Sequence, residues 1–304
     1  MRHLLSIADL TRGEVERILE TAGALADVEG KLPALEGKRV LNLFFESSTR
    51  TSSSFELAAK KLSADVTTLK AAGSSVDKGE SLKDTVLTLA QYDPDAIVVR
   101  HPQIGAPQLV AKYSGAAVVN AGDGKHQHPT QALLDLFTIR ESLGRLEGVE
   151  VAVVGDVLHS RVARSLIQAL VLVGAGATVV GPPTLLPEGI SELGCETATD
   201  LGAIAKADVV YVLRLQRERM ESAFVPSLRE YAARWGITPD RVRPGQKIMH
   251  PGPINRGVEI DGRVADSRDS LILAQVRSGL AVRMAVLHEL LAAPVPARDQ
   301  AAVA

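Results

Sequence analysis

The chain has 304 residues, 46% of them hydrophobic, with aromatics at only 3% and a formal net charge of -2. That supplies the apolar material of one large domain or two ordinary ones, with a core of Ala, Val, Leu and Ile. The charge excludes a strongly basic nucleic-acid binder, so an anion site has to draw on local positive charge. The single cysteine, Cys195, excludes an intrachain disulfide and suits a reducing compartment. The start MRHLLSIADLT lacks the apolar core of a signal peptide. No apolar run reaches the roughly 18 residues of a membrane span, so a cytoplasmic protein with no membrane partner is expected.

In chain order, RVLNLFF (Arg39 to Phe45) predicts a buried strand. Phe55, Ala58, Ala59 and Leu62 then recur at helical spacing. Ser53, three residues before Glu56, fits a capping box that would open this helix. DVTTL, AIVVR (Ala96 to Arg100) and AAVVNAG (Ala116 to Gly122) predict further strands, with a helix over Pro107 to Tyr113. HPTQALLDLFTIRESLG (His128 to Gly144) predicts a helix with Pro129 in its first turn and Gly144 past its end. A second series follows: VEVAVVGD (Val149 to Asp156) as strand, then Ser160 to Gly174 as helix. ATVVGPP, ADVVYVLRLQ and KIMHPGP supply more strands, and a long helix runs from about Ser270 to Leu291.

Alternating strand and helix predicts an α/β chain of two doubly wound domains. Each is a parallel sheet flanked by helices, with the active site in the cleft between them. The restart near Gly148 sets the expected division at residues 1–145 and 146–284, with a C-terminal helix of about 285–304 packing back on the first domain. Ligands of open parallel sheets collect at the carboxyl ends of strands. There the sequence places ESSTRTS after the first strand, Arg100-His101-Pro102, DGKHQHPTQ, VLHSR with Arg161, Arg214-Leu215-Gln216 and His250-Pro251-Gly252-Pro253. Several arginines converging on one cleft repel unless an anion sits between them.

FFESSTRTSSSF (Phe44 to Phe55) carries more hydroxyls than one cap requires, with Arg50 among them. A helix N-terminus already presents unpaired N–H groups and partial positive charge, so this cluster predicts a phosphate site. There is no GK[ST] loop, GxGxxG turn, GxSxG elbow or metal-ligand spacing around His126 and His128. GSSVDKGESLKD (Gly73 to Asp84) reads either as a surface loop with a helix start at Ser81 or as a lid delivering Lys78 to an anion.

FFESSTRTSSSFE, VVRHP, HQHPTQALLDLFTI, YVLRLQRER and MHPGPINRGVEI closely resemble the aspartate/ornithine carbamoyltransferase family, in order, from about Leu4 to Leu290. SSVDKGES, RLQRER and HPGP resemble the aspartate branch; the HCLP-like and SMG-like stretches of the ornithine branch are absent. Two departures are Ser52, where many relatives carry Arg or Lys, and Gly252, where many carry Leu.

The resemblance implies transfer of the carbamoyl group of carbamoyl phosphate to L-aspartate in pyrimidine synthesis, without cofactor or metal. It implies that Ser48, Thr49, Arg50 and Thr51 hold the phosphate. Arg100, His128 and Thr51 would face the carbonyl oxygen. Gln131, with Pro251, Gly252 and Pro253, would hold the carbamoyl NH2. Arg161, Arg214 and Gln216, with Lys78, would grip the aspartate carboxylates. It further implies a homotrimer in which Ser74 and Lys78 enter a neighbour's site, and possible higher assembly with regulatory chains or dihydroorotase. Two rivals follow: an ornithine acceptor, which two arginines would repel, and a non-catalytic scaffold, which has no physical need of so complete a set.

Overall fold

The computed structural model describes residues 1–70, 79–216, 225 and 227–292. In the first half, β1 (Arg39–Phe44), β2 (Asp65–Lys70), β3 (Ala96–His101) and β4 (Ala117–Asp123) form a parallel sheet in the order β2-β1-β3-β4. Around it lie α1 (Arg12–Ala26), α2 (Thr49–Lys61), α3 (Leu82–Ala90), α4 (Ala106–Ser114) and α5 (Pro129–Leu143). In the second half, β5 (Glu150–Val154), β6 (Gly176–Val180), β7 (Glu196–Ala198), β8 (Val209–Val212) and β9 (Lys247–Met249) are also parallel, in the order β7-β6-β5-β8-β9. Their helices are α6 (Arg161–Leu172), α7 (Leu228–Trp235), the short α8 (Gly262–Ala265) and α9 (Ile272–Leu291). Helices on both faces explain why the central strands are buried nearly throughout.

Strand periodicity divides the core. Leu41, Leu43, Ile97 and Val99 face one side of the first sheet and cluster with Val86, Leu89 and Val110 of α3 and α4. Val40, Phe44 and Val98 face the other, in a core shared with α1, α2, α5 and α9. That core continues through α5 and α6 into Val151, Val153, Val209 and Tyr211 of the second sheet. The far face of the second sheet, with Ala152, Val154, Val210, Val212 and Ile248, forms a separate cluster. Although last in the chain, α9 packs mainly against α1, α5 and α2. The part of the expected C-terminal helix beyond residue 292 lies outside the described residues.

Each sheet reverses its winding direction once. In the first, the chain steps outward from β1 to β2, then returns to place β3 on the other side of β1. In the second, β5 is central, with β6 and β8 on opposite sides. The crevices between β1 and β3 and between β5 and β8 are therefore the switch points at which this architecture receives ligands. The ends of those four strands and the segments that follow them carry Arg50, Arg100, Arg161 and Arg214.

One expectation fails. The helix after β1 begins at Thr49 with Ser48 as its N-cap residue, and Ser53 is inside it. No capping box forms: Glu56 instead accepts from Lys60 Nζ at 2.7 Å and Thr68 Oγ1 at 3.1 Å. The Ser48 side chain makes no capping hydrogen bond either. Among the described residues, no cap side chain closes the first turn of α2.

Candidate active site

The first switch point is built by α2. Thr49, Arg50 and Thr51 form its opening turn, with Thr51 buried and Arg50 turned toward the second half of the chain. Burial, and then the Arg214 charge, push the Arg50 guanidinium below its ordinary pKa. Gly252 sits against it at a φ of 65°, where a Cβ would run into the Arg50 guanidinium. Glycine at this position therefore gives the arginine its room, and the left-handed backbone suits it. The following Gly252–Pro253 bond is cis.

Arg100 leaves the end of β3. Its Nε donates to Glu46 Oε2 at 3.1 Å and its Nη1 to Ser48 Oγ at 3.1 Å. Arg161 opens α6 and is buried; its Nη2 donates to the same Glu46 oxygen at 2.8 Å and its Nη1 to the Gly124 carbonyl at 3.1 Å. Glu46 thus joins the strand-end arginines of the two sheets.

His128 is the N-cap residue of α5 and is buried. Burial, then the charges of Arg100, Arg161 and Arg283, drive its pKa well below the ordinary histidine value. The ring is neutral near pH 7: it is a hydrogen-bond donor and a poor base. Its backbone N–H donates to Ser165 Oγ at 2.8 Å, and Ser165 Oγ donates to Gln127 Oε1 at 2.7 Å, so α6 fixes the start of α5. One turn on, Gln131 Nε2 donates to Asp135 Oδ1 at 3.0 Å.

The loop after β9 is held by a buried histidine. His250 Nδ1 accepts the Gly252 N–H at 2.8 Å, so its Nε2 carries the proton and faces Glu259 Oε1 at 3.2 Å. Burial, reinforced by the Arg50 and Arg214 charges, lowers the His250 pKa although Glu259 opposes it. Gln216 follows Arg214, and its backbone N–H donates to Asp156 Oδ2 at 3.1 Å. Asp156 also binds His159, next to the start of α6, so one carboxylate braces both loops of the second switch point.

Of the described parts of the expected set, those at Ser48 to Thr51, Arg100, Arg161, Arg214 and Gln216 follow the strands of the two switch points, whereas His128 and Gln131 follow β4 and Gly252 and Pro253 follow β9. Ser74 and Lys78 fall outside the described residues. Sequence reasoning missed Glu46, Asp135, Ser165, Tyr211 and Gln275. Glu46 had a signal, being the acidic residue in FFESSTR, and Asp135 had one in its helical i,i+4 spacing from Gln131. The other three are brought in only by tertiary packing.

Chemically, the site offers four guanidiniums, the free N-terminus of α2, a neutral imidazole and an amide. Such a set binds an anionic group together with a dicarboxylate, and directs preorganised donors at an oxygen where charge develops.

Comparison with known proteins agrees with this geometry. Residues 2–141 match the model of the aspartate/ornithine carbamoyltransferase carbamoyl-P binding domain, and residues 147–290 that of the Asp/Orn binding domain. The chain is 57% identical over 302 residues to the aspartate carbamoyltransferase catalytic subunit of Salinispora arenicola, covering 96% of this chain and 98% of that one. It is 53% identical to the Acidothermus cellulolyticus subunit, over 98% of this chain and 94% of that one. Among solved structures, Trypanosoma cruzi aspartate transcarbamoylase in complex with N-(phosphonacetyl)-L-aspartic acid superposes with a TM-score of 0.88 at 32% identity, covering 96% of both chains. Pyrococcus furiosus ornithine carbamoyltransferase gives 0.86 at 31%, covering 97% of this chain and 98% of that one. By sequence, architecture and site, the chain belongs to the aspartate/ornithine carbamoyltransferase family.

Proposed function

We propose that the chain transfers the carbamoyl group of carbamoyl phosphate to the amino group of L-aspartate, giving N-carbamoyl-L-aspartate and phosphate, in pyrimidine biosynthesis. The observation that carries the acceptor is the pair Arg161 and Arg214 at the second switch point. The fold alone does not choose, because an ornithine enzyme superposes as well as the aspartate enzymes do. Two guanidiniums attract the carboxylates of aspartate and repel the cationic side chain of ornithine. The T. cruzi relative has been solved with carbamoyl phosphate and aspartate together, and with carbamoyl aspartate and phosphate.

In this reading Ser48, Thr49, Arg50 and Thr51 hold the phosphate at the start of α2. Arg100, His128 and Thr51 donate to the carbamoyl oxygen, where preorganised donors contribute roughly 3 kcal/mol each to the transition state. Gln131 and the Pro251 and Gly252 carbonyls, with Pro253 closing the loop, accept from the carbamoyl NH2. Arg161, Arg214 and Gln216 orient aspartate. The amine nitrogen forms the bond to the carbamoyl carbon as the bond to the phosphate oxygen breaks. Neutral His128 has too low a pKa to take the amine proton, so the departing phosphate accepts it. Positioning and charge stabilisation supply the rate. Ser74 and Lys78, supplied by a neighbouring subunit of a cytoplasmic homotrimer, complete the site.

The test is an acceptor assay with carbamoyl phosphate and either aspartate or ornithine. Carbamoyl aspartate is the expected product, with no turnover of ornithine. Turnover of ornithine alone would overturn the acceptor assignment, and turnover of neither by the pure assembled protein would favour a scaffold.

A further inference from the structure

A buried carboxyl group stands behind the subsite assigned to the carbamoyl NH2. Asp135, one turn along α5 from Gln131, is fully buried. Its Oδ1 accepts from Gln131 Nε2 at 3.0 Å and from Gln275 Nε2 at 2.8 Å, while Oδ2 accepts from the Tyr211 hydroxyl at 2.7 Å. Those donors come from α5, α9 and β8. Gln275 carries the connection further, because its Oε1 accepts the His250 N–H at 2.9 Å, and His250 in turn accepts the Gly252 N–H. One carboxylate oxygen therefore reaches both the Gln131 amide and the loop that carries Pro251 and Gly252.

A glutamine amide has a donor end and an acceptor end, and which end faces a ligand depends on what holds the other. With Nε2 turned to Asp135, the acceptor Oε1 is the end of the Gln131 amide that faces the other way. A flipped amide would set its own NH2 against the NH2 of the substrate. Burial raises the Asp135 pKa to about 7, against the donors Gln275, Tyr211 and Gln131 and the Arg283 charge. A proton placed on Oδ2, toward Tyr211, leaves Oδ1 an acceptor, so the amide is held in the same sense on both sides of that pH.

We propose that Asp135 is a positioning residue for donor selectivity. By accepting from Gln131 and Gln275 through Oδ1, it turns an acceptor-only wall toward the transferred group, and the site prefers a carbamoyl to an acetyl group on the same phosphate. This role rests on the carbamoyl-phosphate reading of the site.

The experiment is calorimetric titration of the intact protein with carbamoyl phosphate and with acetyl phosphate, which replaces the NH2 by a methyl. The wild type binds carbamoyl phosphate more tightly. Asp135→Ala loses about tenfold in carbamoyl phosphate affinity and holds acetyl phosphate within about twofold, because one hydrogen-bonded subsite is lost and the phosphate cradle is not. Asp135→Asn keeps the wild-type ratio, since its Oδ1 still takes both amides with Nδ2 facing Tyr211. Tyr211→Phe lowers the melting temperature and leaves the ratio unchanged, which separates positioning from mere stability. Should the alanine variant not fold, Asp135→Ser, whose hydroxyl is too short to reach the Gln131 amide, replaces it with the same expected loss. An unchanged ratio in the alanine or serine variant overturns the role, as does loss of the ratio in Asp135→Asn. A wild type that binds no carbamoyl phosphate overturns the underlying reading, and this role with it.

Discussion

Glu46 is the clearest case of a residue whose importance depends on its neighbours. One of its oxygens accepts from Arg100 at 3.1 Å and from Arg161 at 2.8 Å, so it offsets repulsion between two arginines that the proposed function places in one site. The two do not depend on it equally. Arg100 keeps the Ser48 hydroxyl, whereas Arg161 keeps the Gly124 carbonyl. Glu46→Gln removes the charge and keeps the shape, and loss of a charged hydrogen bond of this kind is worth about tenfold or more. The Michaelis constant for aspartate is therefore expected to rise about tenfold, with a smaller change for carbamoyl phosphate. Steady-state kinetics with each substrate varied in turn checks this. Equal rises for both would mean that Glu46 anchors the two arginines alike. Arg50, Arg100, Arg161 and Arg214 were legible because each follows a strand, and strand ends can be read from apolar runs. Glu46 was not assigned, because a carboxylate beside a phosphate motif gains its sense only when Arg161, far along the chain, arrives next to it.

At the scale of elements, what was legible follows from the strength of the periodic signal. The strands β1 to β5 and the helices α5 and α6 fall within a residue or two of their expected bounds, since long apolar runs and terminal glycines mark them, whereas β6, β8 and β9 end well before the expected ATVVGPP, ADVVYVLRLQ and KIMHPGP do. The start of α2 was misplaced for an instructive reason. Capping rules look for a side chain that closes the first turn, and at α2 no side chain does. The local rule fails at the helix start that the proposed function assigns to the phosphate. At α1 the opposite holds. This helix is absent from the elements expected from the sequence, although it is capped in full: Thr11 accepts from the Glu14 N–H while the Glu14 carboxylate accepts from the Thr11 N–H. It buries Val15, Ile18, Leu19 and Ala22, and packs on α9. Thr11→Ala is expected to cost about 1 kcal/mol of stability in denaturant titration and to leave activity unchanged. The hydrogen bonds from Thr11 hold the Glu14 pKa below its ordinary value. A depressed carboxylate pKa stabilises the fold above the unfolded value and stops doing so as the pH falls through the folded one. The gap between wild type and variant should thus narrow as the pH is lowered into the carboxylate range. A gap independent of pH would mean that the Thr11 hydroxyl does not donate to the Glu14 carboxylate.

For the whole molecule, the arginines that stand together within one chain still leave the proposed site short of Ser74 and Lys78. In the trimer reading those two come from the next subunit, so no single chain holds a complete site. Complementation is the consequence. Arg50→Ala lacks its phosphate arginine but still offers Lys78, whereas Lys78→Ala keeps Arg50 and offers its neighbour nothing. Each variant alone forms trimers in which every site is damaged. When the two are dissociated, mixed and reassembled, every mixed trimer contains one site with both defects, one with a single defect of either kind, and one with neither. About three quarters of randomly formed trimers are mixed, so activity should recover to about a quarter of the wild-type value. Measuring turnover against mixing ratio gives a maximum near equal proportions if sites are shared. Activity that stays at the level of the separate variants at every ratio, with mixed trimers demonstrated by mass, would place Arg50 and Lys78 of the same chain in the same site and overturn the shared-site reading.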